Sequence, residues 1–283
     1  MKINNSKNNV SIKSQTGLTL IEIMIAVVLL SLVIAGISEF FSQLKNNTKQ
    51  QDTQMELSEN LRIAMTNITD QLRNSDFAVP GTKLNEWITS GDLTGSITTV
   101  NFTDNPVITV GANADDADII TIASAEATPT TFLQNTVAFD ATTLPVTNNG
   151  TEFNTTGRKL LSINFREIAR ITGTPSNTAL PISTHPSNNQ GTRIQNHFQN
   201  SPIFQVNVTQ YWVNQTDNTL RVNRFDGSGN QVLAEGVKNL KITPVNGSTK
   251  HYQVTLTGVS LEVDQDLGTV IEKDLVSEIV ILN

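Results

Sequence analysis

The stretch GLTLIEIMIAVVLLSLVIAGI, residues 17–37, decides the architecture of the first part of the chain. Only three polar side chains interrupt its apolar run, and they are Thr19, Glu22 and Ser31. As a helix with a rise of about 1.5 Å per residue, the run is about 30 Å long, which matches the thickness of a hydrocarbon core. The sequence therefore predicts a membrane-spanning helix at residues 18–37.

The polar segment before this run sets its predicted orientation. Residues 1–17 contain Lys2, Lys7 and Lys13 and no acidic residue, and an excess of lysine keeps a flanking segment on the cytoplasmic side. A secretory signal peptide cut after Ala35, or a simple anchor, would also account for the apolar run. The run is, however, longer than the ~7–15 apolar residues of a signal peptide.

Glu22 is the residue that neither alternative explains. A carboxylate costs on the order of 2.5–3.5 kcal/mol at the centre of a spanning helix and less near an end. Glu22 lies about 6 Å past the first apolar residue, so its cost is reduced but not removed. A carboxyl group at this depth is protonated, reaches the interface, or has a positively charged partner.

The hexapeptide GLTLIE at residues 17–22 resembles the processing site of type IV prepilins and pseudopilins, in which Gly is usually followed by Phe and then by Thr-Leu-Ile-Glu. Leu18 stands where that family usually has Phe. The resemblance implies that a prepilin peptidase cleaves between Gly17 and Leu18, removes residues 1–17 as a leader, and methylates the new amine of Leu18. It also implies that Glu22 pairs with the N-terminal amine of a neighbouring subunit and thereby sets the register of assembly.

The resemblance also implies partners and a location. The expected partners are other pilin subunits, both minor and major, the prepilin peptidase and the inner-membrane assembly platform. The expected location is a single-pass inner-membrane insertion with a periplasmic C-terminal domain, followed by transfer into a pilus or pseudopilus at the cell surface. The sequence contains no G-x-S-x-G, P-loop or GxGxxG motif, so we expect no enzymatic activity and no cofactor.

The helix is predicted to continue well beyond the membrane, so that residues 18–79 form one element. Apolar residues recur at spacings of 4, 3, 4 and 4, which is one face of an amphipathic helix. This face comprises Leu57, Leu61, Ala64, Ile68 and Leu72. The run is too short for a coiled-coil stalk, so we expect it to pack on a sheet. Pro80 and Gly81 mark the end of the helix.

Residues 80–283 are predicted to form a β-rich globular domain. Runs rich in β-branched residues, such as DIITIA (118–123), FQVNVTQYWV (204–213) and YQVTLTGVSLEV (252–263), indicate strands. The proline-containing stretch at 144–201 is expected to be rich in loops, with one candidate strand at LLSINF (160–165). The predicted fold class is α+β, with a long N-terminal helix, half of it transmembrane, packed on an antiparallel β-rich domain that resembles a pilin.

A second resemblance refines the first. The segment YWVNQTDNTLRVNRFDGSGNQVLAEGVKNLKITPV, residues 211–245, resembles the C-terminal sheet region of PilW-type minor pilins and of the J-type pseudopilin of type II secretion. It shares with them the pattern L-x-E-G-V-x-x-L, at Leu233, Glu235, Gly236, Val237 and Leu240. The resemblance implies a minor pilin that primes or caps filament assembly. The alternatives are a J-type pseudopilin and, from another class, a secreted or membrane-tethered binding protein.

The composition excludes several kinds of site. The chain has no Cys, so disulfides and thiolate metal sites are excluded. The formal net charge is −7, and removal of the three leader lysines would leave 16 basic residues against 26 acidic ones. A protein with this negative net charge repels nucleic acid phosphates, so we expect no nucleic acid partner.

Metal ligands are sparse in the sequence. The three histidines are far apart and are interpreted as loop or surface residues, and they are His185, His197 and His251. Two oxygen-rich stretches contain donors that calcium prefers. They comprise Asp115, Asp116 and Asp118 in the first, and Asp226, Ser228 and Asn230 in the second. Neither has the spacing of an EF-hand loop, so a solvated loop and a hairpin turn are the simpler interpretations, and no metal is predicted.

Overall fold

A computed structural model describes residues 19–75, 77–80, 84, 108–112, 118–138, 141–148, 150–153, 160–183, 196–225, 228–248, 250–263 and 270–281. The chain divides into two compact units, Met1–Gln51 and Asp52–Asn283. Helix α1, Leu20–Arg73, contains residues of both units, and all described strands belong to the second. The structure confirms the predicted α+β class, with a long apolar N-terminal helix and an antiparallel β-rich domain.

The described strands form two antiparallel sheets. They are β1 (Ile108–Ala112), β2 (Asp118–Ala125), β3 (Thr131–Phe132), β4 (Thr143–Pro145), β5 (Leu160–Ile163), β6 (Glu167–Ile171), β7 (Ala179–Ser183), β8 (Pro202–Asn214), β9 (Thr219–Asn223), β10 (Asn230–Glu235), β11 (Val237–Pro244), β12 (His251–Val263) and β13 (Val270–Val280). The larger sheet has the order β1-β2-β8-β5-β6-β7-β4, with β3 and β9 also paired to β8, and β10 paired to β9. The smaller sheet has the order β11-β12-β13.

Strand β8 organises the larger sheet. Its N-terminal part pairs with β3 and β5, and its C-terminal part pairs with β2 and β9. Apolar residues alternate with polar ones along this stretch of the sequence, and this alternation predicted the strand. The hairpin of β9 and β10 follows it, with Asn223 opposite Asn230, as the glycine-containing turn predicted.

The second half of α1 contributes one face to the main core. The five residues predicted for this face are all at most 4 % exposed, which confirms the prediction. They pack in one cluster with apolar side chains of both sheets, including Ile122, Tyr211, Leu240 and Leu256. The helix therefore gains its stability in this part from burial against strands, because each such side chain is worth about 1.5–3 kcal/mol when fully buried.

Two glycines allow a close approach at this core. A Cβ on Gly258 would lie 2.7 Å from Leu61 Cδ1 and 2.9 Å from Leu57 Cδ1, so the helix packs directly on the backbone of β12. Gly236 has φ +70°, and its carbonyl accepts a hydrogen bond of 2.7 Å from the N–H of Val259. The glycine of the L-x-E-G-V pattern thus turns the chain from β10 into β11.

A smaller core follows the end of α1. Phe77 makes edge-to-face contacts with Phe165 and Phe204, at ring-centroid distances of 6.0 and 5.7 Å. Phe165 has φ +60° in the turn between β5 and β6, a conformation that is unfavourable for a bulky residue. Its ring lies 4.9 Å from that of Phe204, and aromatic contacts of this kind stabilise by about 0.5–1.5 kcal/mol. Side-chain packing therefore offsets the cost of the turn.

The stretch 144–201 contains loops, as expected, but its described part contains more strands than the one predicted at LLSINF. Strands β5, β6 and β7 lie within it and have their own core, which includes Leu161, Ile171 and Leu180. The sequence predicted β5 but not β6 and β7, and in β7 a proline weakens the strand pattern. Pro181 nevertheless lies within β7, opposite Thr143 of β4, and its carbonyl accepts a hydrogen bond from the N–H of Thr172.

Ser162 in β5 gives a first test of this packing. Its side chain is fully buried, and its hydroxyl has no hydrogen-bond partner among the described residues. Burying an unpaired hydroxyl costs about 1–3 kcal/mol, so we expect Ser162→Ala to raise the free energy of unfolding by about 1 kcal/mol. Chemical denaturation of the full chain in detergent measures this difference.

Ser75→Ala is the matched control for this prediction. Ser75 is equally buried, but its hydroxyl donates a hydrogen bond of 2.6 Å to the carbonyl of Leu72. Its loss should lower the free energy of unfolding by about 1 kcal/mol. Equal destabilisation by the two substitutions would show that the Ser162 hydroxyl has a partner.

Candidate functional site

The candidate site is the start of α1, where Thr19 and Glu22 form a capping box. The N–H of Thr19 and its hydroxyl donate to Glu22 Oε2 at 2.8 and 2.9 Å. The N–H of Glu22 in turn lies 3.4 Å from Thr19 Oγ1. A threonine before the first helical residue, followed three residues later by glutamate, pairs backbone N–H groups that a helix otherwise leaves free.

The carboxylate of Glu22 keeps one oxygen available. Within the described part of the chain, Oε1 of Glu22 accepts no hydrogen bond, whereas Oε2 is occupied by Thr19. The acid also lies in the first turn of α1, where the helix dipole favours negative charge. Thr19 thus holds one carboxylate oxygen of Glu22, and the other oxygen accepts no hydrogen bond from the described residues.

The apolar surface that follows is exposed along its whole length. All residues from 19 to 45 are exposed, including large side chains such as Leu20, Leu32 and Phe40. By length and composition, α1 is a helix that could cross a membrane. Because contiguous apolar patches of this size are rare on monomeric soluble proteins, this surface fits a membrane anchor and a helix that associates with other helices.

The site residues predicted from sequence differ in how the structure places them. Gly17 and Leu18, the predicted cleavage and methylation positions, lie outside the described residues. Glu22 lies at the start of the helix, and the structure brings it together with Thr19. The role of Thr19 was not predicted from the sequence, although the T-x-x-E spacing before an apolar run is a recognisable signal.

The described members of the calcium-type stretches have structural roles. Asp118 Oδ2 accepts a hydrogen bond of 2.8 Å from the N–H of Ile242, which links β2 of the larger sheet to β11 of the smaller one. Asn230 Oδ1 accepts one of 3.0 Å from Asn223 Nδ2, across the β9–β10 hairpin. The remaining donors, Asp115, Asp116 and Asp226, lie outside the described residues. Among the residues that are described, no three His, Asp or Glu side chains cluster as a metal site would require.

The interpretation of His197 as a loop or surface residue holds for the loop, because His197 lies outside the named strands, and is wrong for the surface. His197 is 2 % exposed, and its Nε2 lies 3.1 Å from Glu167 Oε2, which is also buried. A β-bridge between Val137 and His197 holds this segment against the core formed by β5, β6 and β7, to which Val137 also belongs. His251 is partly exposed, with its Nε2 3.3 Å from Glu278 Oε2, and His185 lies outside the described residues.

Two described groups in the β-rich domain have shifted pKa values, and each shift has a local cause. A hydrogen bond from the Thr219 hydroxyl, with a smaller contribution from Arg221, lowers the pKa of Asp217 in the turn between β8 and β9. Burial raises the pKa of Tyr211 to about 12. Both groups keep their ordinary charge states at neutral pH, so they support the fold and supply no reactive group.

Comparison with known proteins supports the interpretation of the N-terminus. Residues 12–38 match the family described as the prokaryotic N-terminal methylation motif. This match includes the capping box and the whole apolar run at residues 18–37, and it supports a type IV pilin-like or pseudopilin protein, a class of structural subunits. Such a motif implies processing by a prepilin peptidase and assembly with other pilin subunits. No curated protein and no solved structure matches the chain.

Proposed function

We propose that this chain, which carries the prokaryotic N-terminal methylation motif, is a minor pilin that primes or caps assembly of a type IV pilus with other minor pilins. The observation that carries the proposal is the motif at residues 12–38 together with an apolar helix whose side chains are exposed from residue 19 to residue 45. Such a surface needs either lipid or other apolar helices. A filament core of similar helices supplies the second environment once the subunit leaves the membrane.

Processing precedes assembly in this proposal. The prepilin peptidase cleaves between Gly17 and Leu18 and methylates the amine of Leu18. Residues 1–17 are then the removed leader, residues 18–79 the long helical element, and residues 80–283 the periplasmic domain. Cleavage creates a positively charged amine close to the start of α1 in each mature subunit.

Glu22 sets the register between subunits. Thr19 holds one carboxylate oxygen of Glu22, and the other oxygen accepts the amine of a neighbouring subunit. In an apolar environment an unpaired carboxylate is costly, so axial positions that pair it with an amine are favoured over those that do not. The capping box contributes by fixing the direction in which the carboxylate points.

The assignment to the minor pilins draws on the resemblance of residues 211–245 to PilW-type proteins. The structure gives physical reasons for residues of that pattern. Gly236 adopts positive φ at the β10–β11 junction, and Val237 and Leu240 are fully buried in the main core. Major pilins are generally shorter than 283 residues, which also favours a minor subunit.

Deletion of the gene in the source bacterium tests the proposal. We expect few or no surface pili, restored by the intact gene, and the chain itself in the sheared pilus fraction at far lower abundance than the major subunit. Secretion of exoproteins should be unchanged. Normal piliation with lost exoprotein secretion would instead identify a J-type pseudopilin.

A further inference from the structure

The outermost strand of the smaller sheet is an open edge. Among the described residues, β13 pairs with β12 along one side and with no strand on the other. It is eleven residues long. An edge of this kind presents a row of backbone N–H and C=O groups to which another extended chain can pair.

The hydrogen bonds at both ends of β13 identify the outward groups. The N–H of Ile281 donates to the carbonyl of Lys250, and the N–H of Ile271 donates to Ser260 Oγ. Backbone groups alternate in direction along an antiparallel strand. Odd-numbered residues therefore bond towards β12, and the even-numbered residues from Glu272 to Val280 direct their N–H and C=O groups away from the sheet.

This edge has little of the backbone protection that natural edges carry against pairing. Natural edges are blunted by proline, by bulges or by charged side chains, lysine above all. Strand β13 contains no proline, and its register shift against β12 is confined to the stretch between Val259 and Val263. Its one lysine, Lys273, donates to Ser58 Oγ of α1 at 2.8 Å.

The side chains beside the open edge are acidic and apolar in alternation. Val276 and Val280 are 52 % and 51 % exposed, and three acids, Glu272, Asp274 and Glu278, share their face of the strand. Glu272 is paired with Lys238 at 2.5 Å. Asp274 forms no ion pair with any described residue, and Glu278 Oε2 lies 3.3 Å from His251 Nε2. Asp274 and Glu278 therefore give the centre of the edge its negative charge.

These charges disfavour pairing of the edge with a second copy of itself. An antiparallel pair of β13 strands centred on Val276 would place Asp274 opposite Glu278 twice. Like charges directly opposite each other destabilise a strand pair. The same arrangement favours a strand with cationic side chains at those two positions.

We propose that the open edge of β13 binds an extended segment of a partner protein, which adds a strand antiparallel to β13. The segment carries Lys or Arg opposite Asp274 and Glu278 and an apolar, β-branched residue opposite Val276. Backbone hydrogen bonds to the even-numbered residues of β13 supply the affinity, and the two acids select the partner. This surface lies in the β-rich unit, and its use does not depend on the function proposed for the N-terminal motif.

A synthetic peptide tests the proposal. It copies residues 272–280 with the acids at 272, 274 and 278 replaced by lysine, and its binding to the full chain in neutral detergent is measured by fluorescence anisotropy. We expect it to bind at least tenfold more tightly than the unchanged copy of residues 272–280. Equal binding of the unchanged copy would indicate self-pairing and overturn the proposal. If neither peptide binds, the edge is already covered, and the proposal is again overturned.

Three controls separate strand pairing from general charge attraction. A scrambled peptide of the same composition, and one N-methylated at the three central positions that face β13, should each bind at least tenfold more weakly. Val276→Pro in the chain removes an outward N–H without breaking a hydrogen bond to β12. This variant should therefore retain its unfolding transition and bind the lysine peptide at least tenfold more weakly than the original chain does. Unchanged affinity in the N-methylated peptide, which needs no substitution in the chain, would refute the proposal.

Discussion

Replacing Glu22 with glutamine is expected to lower incorporation of the subunit into filaments at least tenfold while leaving the chain in the membrane. Glutamine at this position still accepts the hydrogen bond of a capping box, so the start of α1 is retained. The substitution removes only the charge that pairs with the amine of a neighbour. A tenfold loss corresponds to about 1.4 kcal/mol, and breaking a buried ion pair by removing one partner costs about 3–5 kcal/mol. Quantitative immunoblots of sheared filaments and of membranes measure the ratio.

Thr19→Val is the matched control for Glu22→Gln. Valine has the shape of threonine but lacks the hydroxyl, so the substitution weakens the capping box and leaves the charge of Glu22 in place. Loss of a cap costs about 0.5–2 kcal/mol of helix stability, but incorporation should remain within about threefold of the original chain. If Thr19→Val lowers incorporation as much as Glu22→Gln does, Glu22 acts through the helix start and not through its charge.

Gly236→Ala is expected to lower the free energy of unfolding by about 3 kcal/mol, the largest effect of the single substitutions considered for stability. Alanine at φ +70° is in a left-handed conformation that costs roughly 1–2 kcal/mol. Its methyl group would also lie 2.8 Å from the carbonyl oxygen of Val259 and 3.2 Å from Leu57 Cδ1. The β10–β11 junction must then move away from β12 and α1, at a further cost of roughly 1–3 kcal/mol. Denaturation followed by tryptophan fluorescence gives the value.

Gly247→Ala isolates the contribution of the backbone. Gly247 has nearly the same φ, +71°, and no atom lies within 4 Å of a Cβ placed there. Gly247→Ala should therefore lower the free energy of unfolding only by the roughly 1–2 kcal/mol that the left-handed conformation costs. Equal losses at Gly236 and Gly247 would mean that the junction adjusts to the added methyl group and that its packing is not tight.

The sequence predicts the helix well because its apolar spacing extends over many turns. Leu57 and Leu72 lie on the buried face as expected, and α1 ends at Arg73, a few residues before the predicted stop at Pro80. Long strands with clear alternation, such as β8 and β12, were equally predictable. Of the short strands β4 to β7 only β5 was predicted, because these strands form their core only when they pair and because prolines interrupt the pattern of β4 and β7.

The hydrogen bonds and ion pairs between distant residues of the β-rich domain were not predictable from the sequence. Glu167 and His197 are thirty residues apart, and Asp118 and Ile242 are 124 apart. No local pattern indicates which distant residues meet across a sheet or between two sheets. The capping box of Thr19 and Glu22 differs in this respect, because its two members are three residues apart and their spacing alone indicates the bond.

Mass spectrometry of the N-terminal peptide of the chain, purified from the membranes of its source bacterium, is the most direct test of the claim that residues 17–22 are a processing and assembly signal. We predict that the mature chain begins at Leu18 and carries a methyl group on its amine. A chain that begins at Gly36, as a signal peptide would leave it, or one that keeps residues 1–17, would contradict the claim.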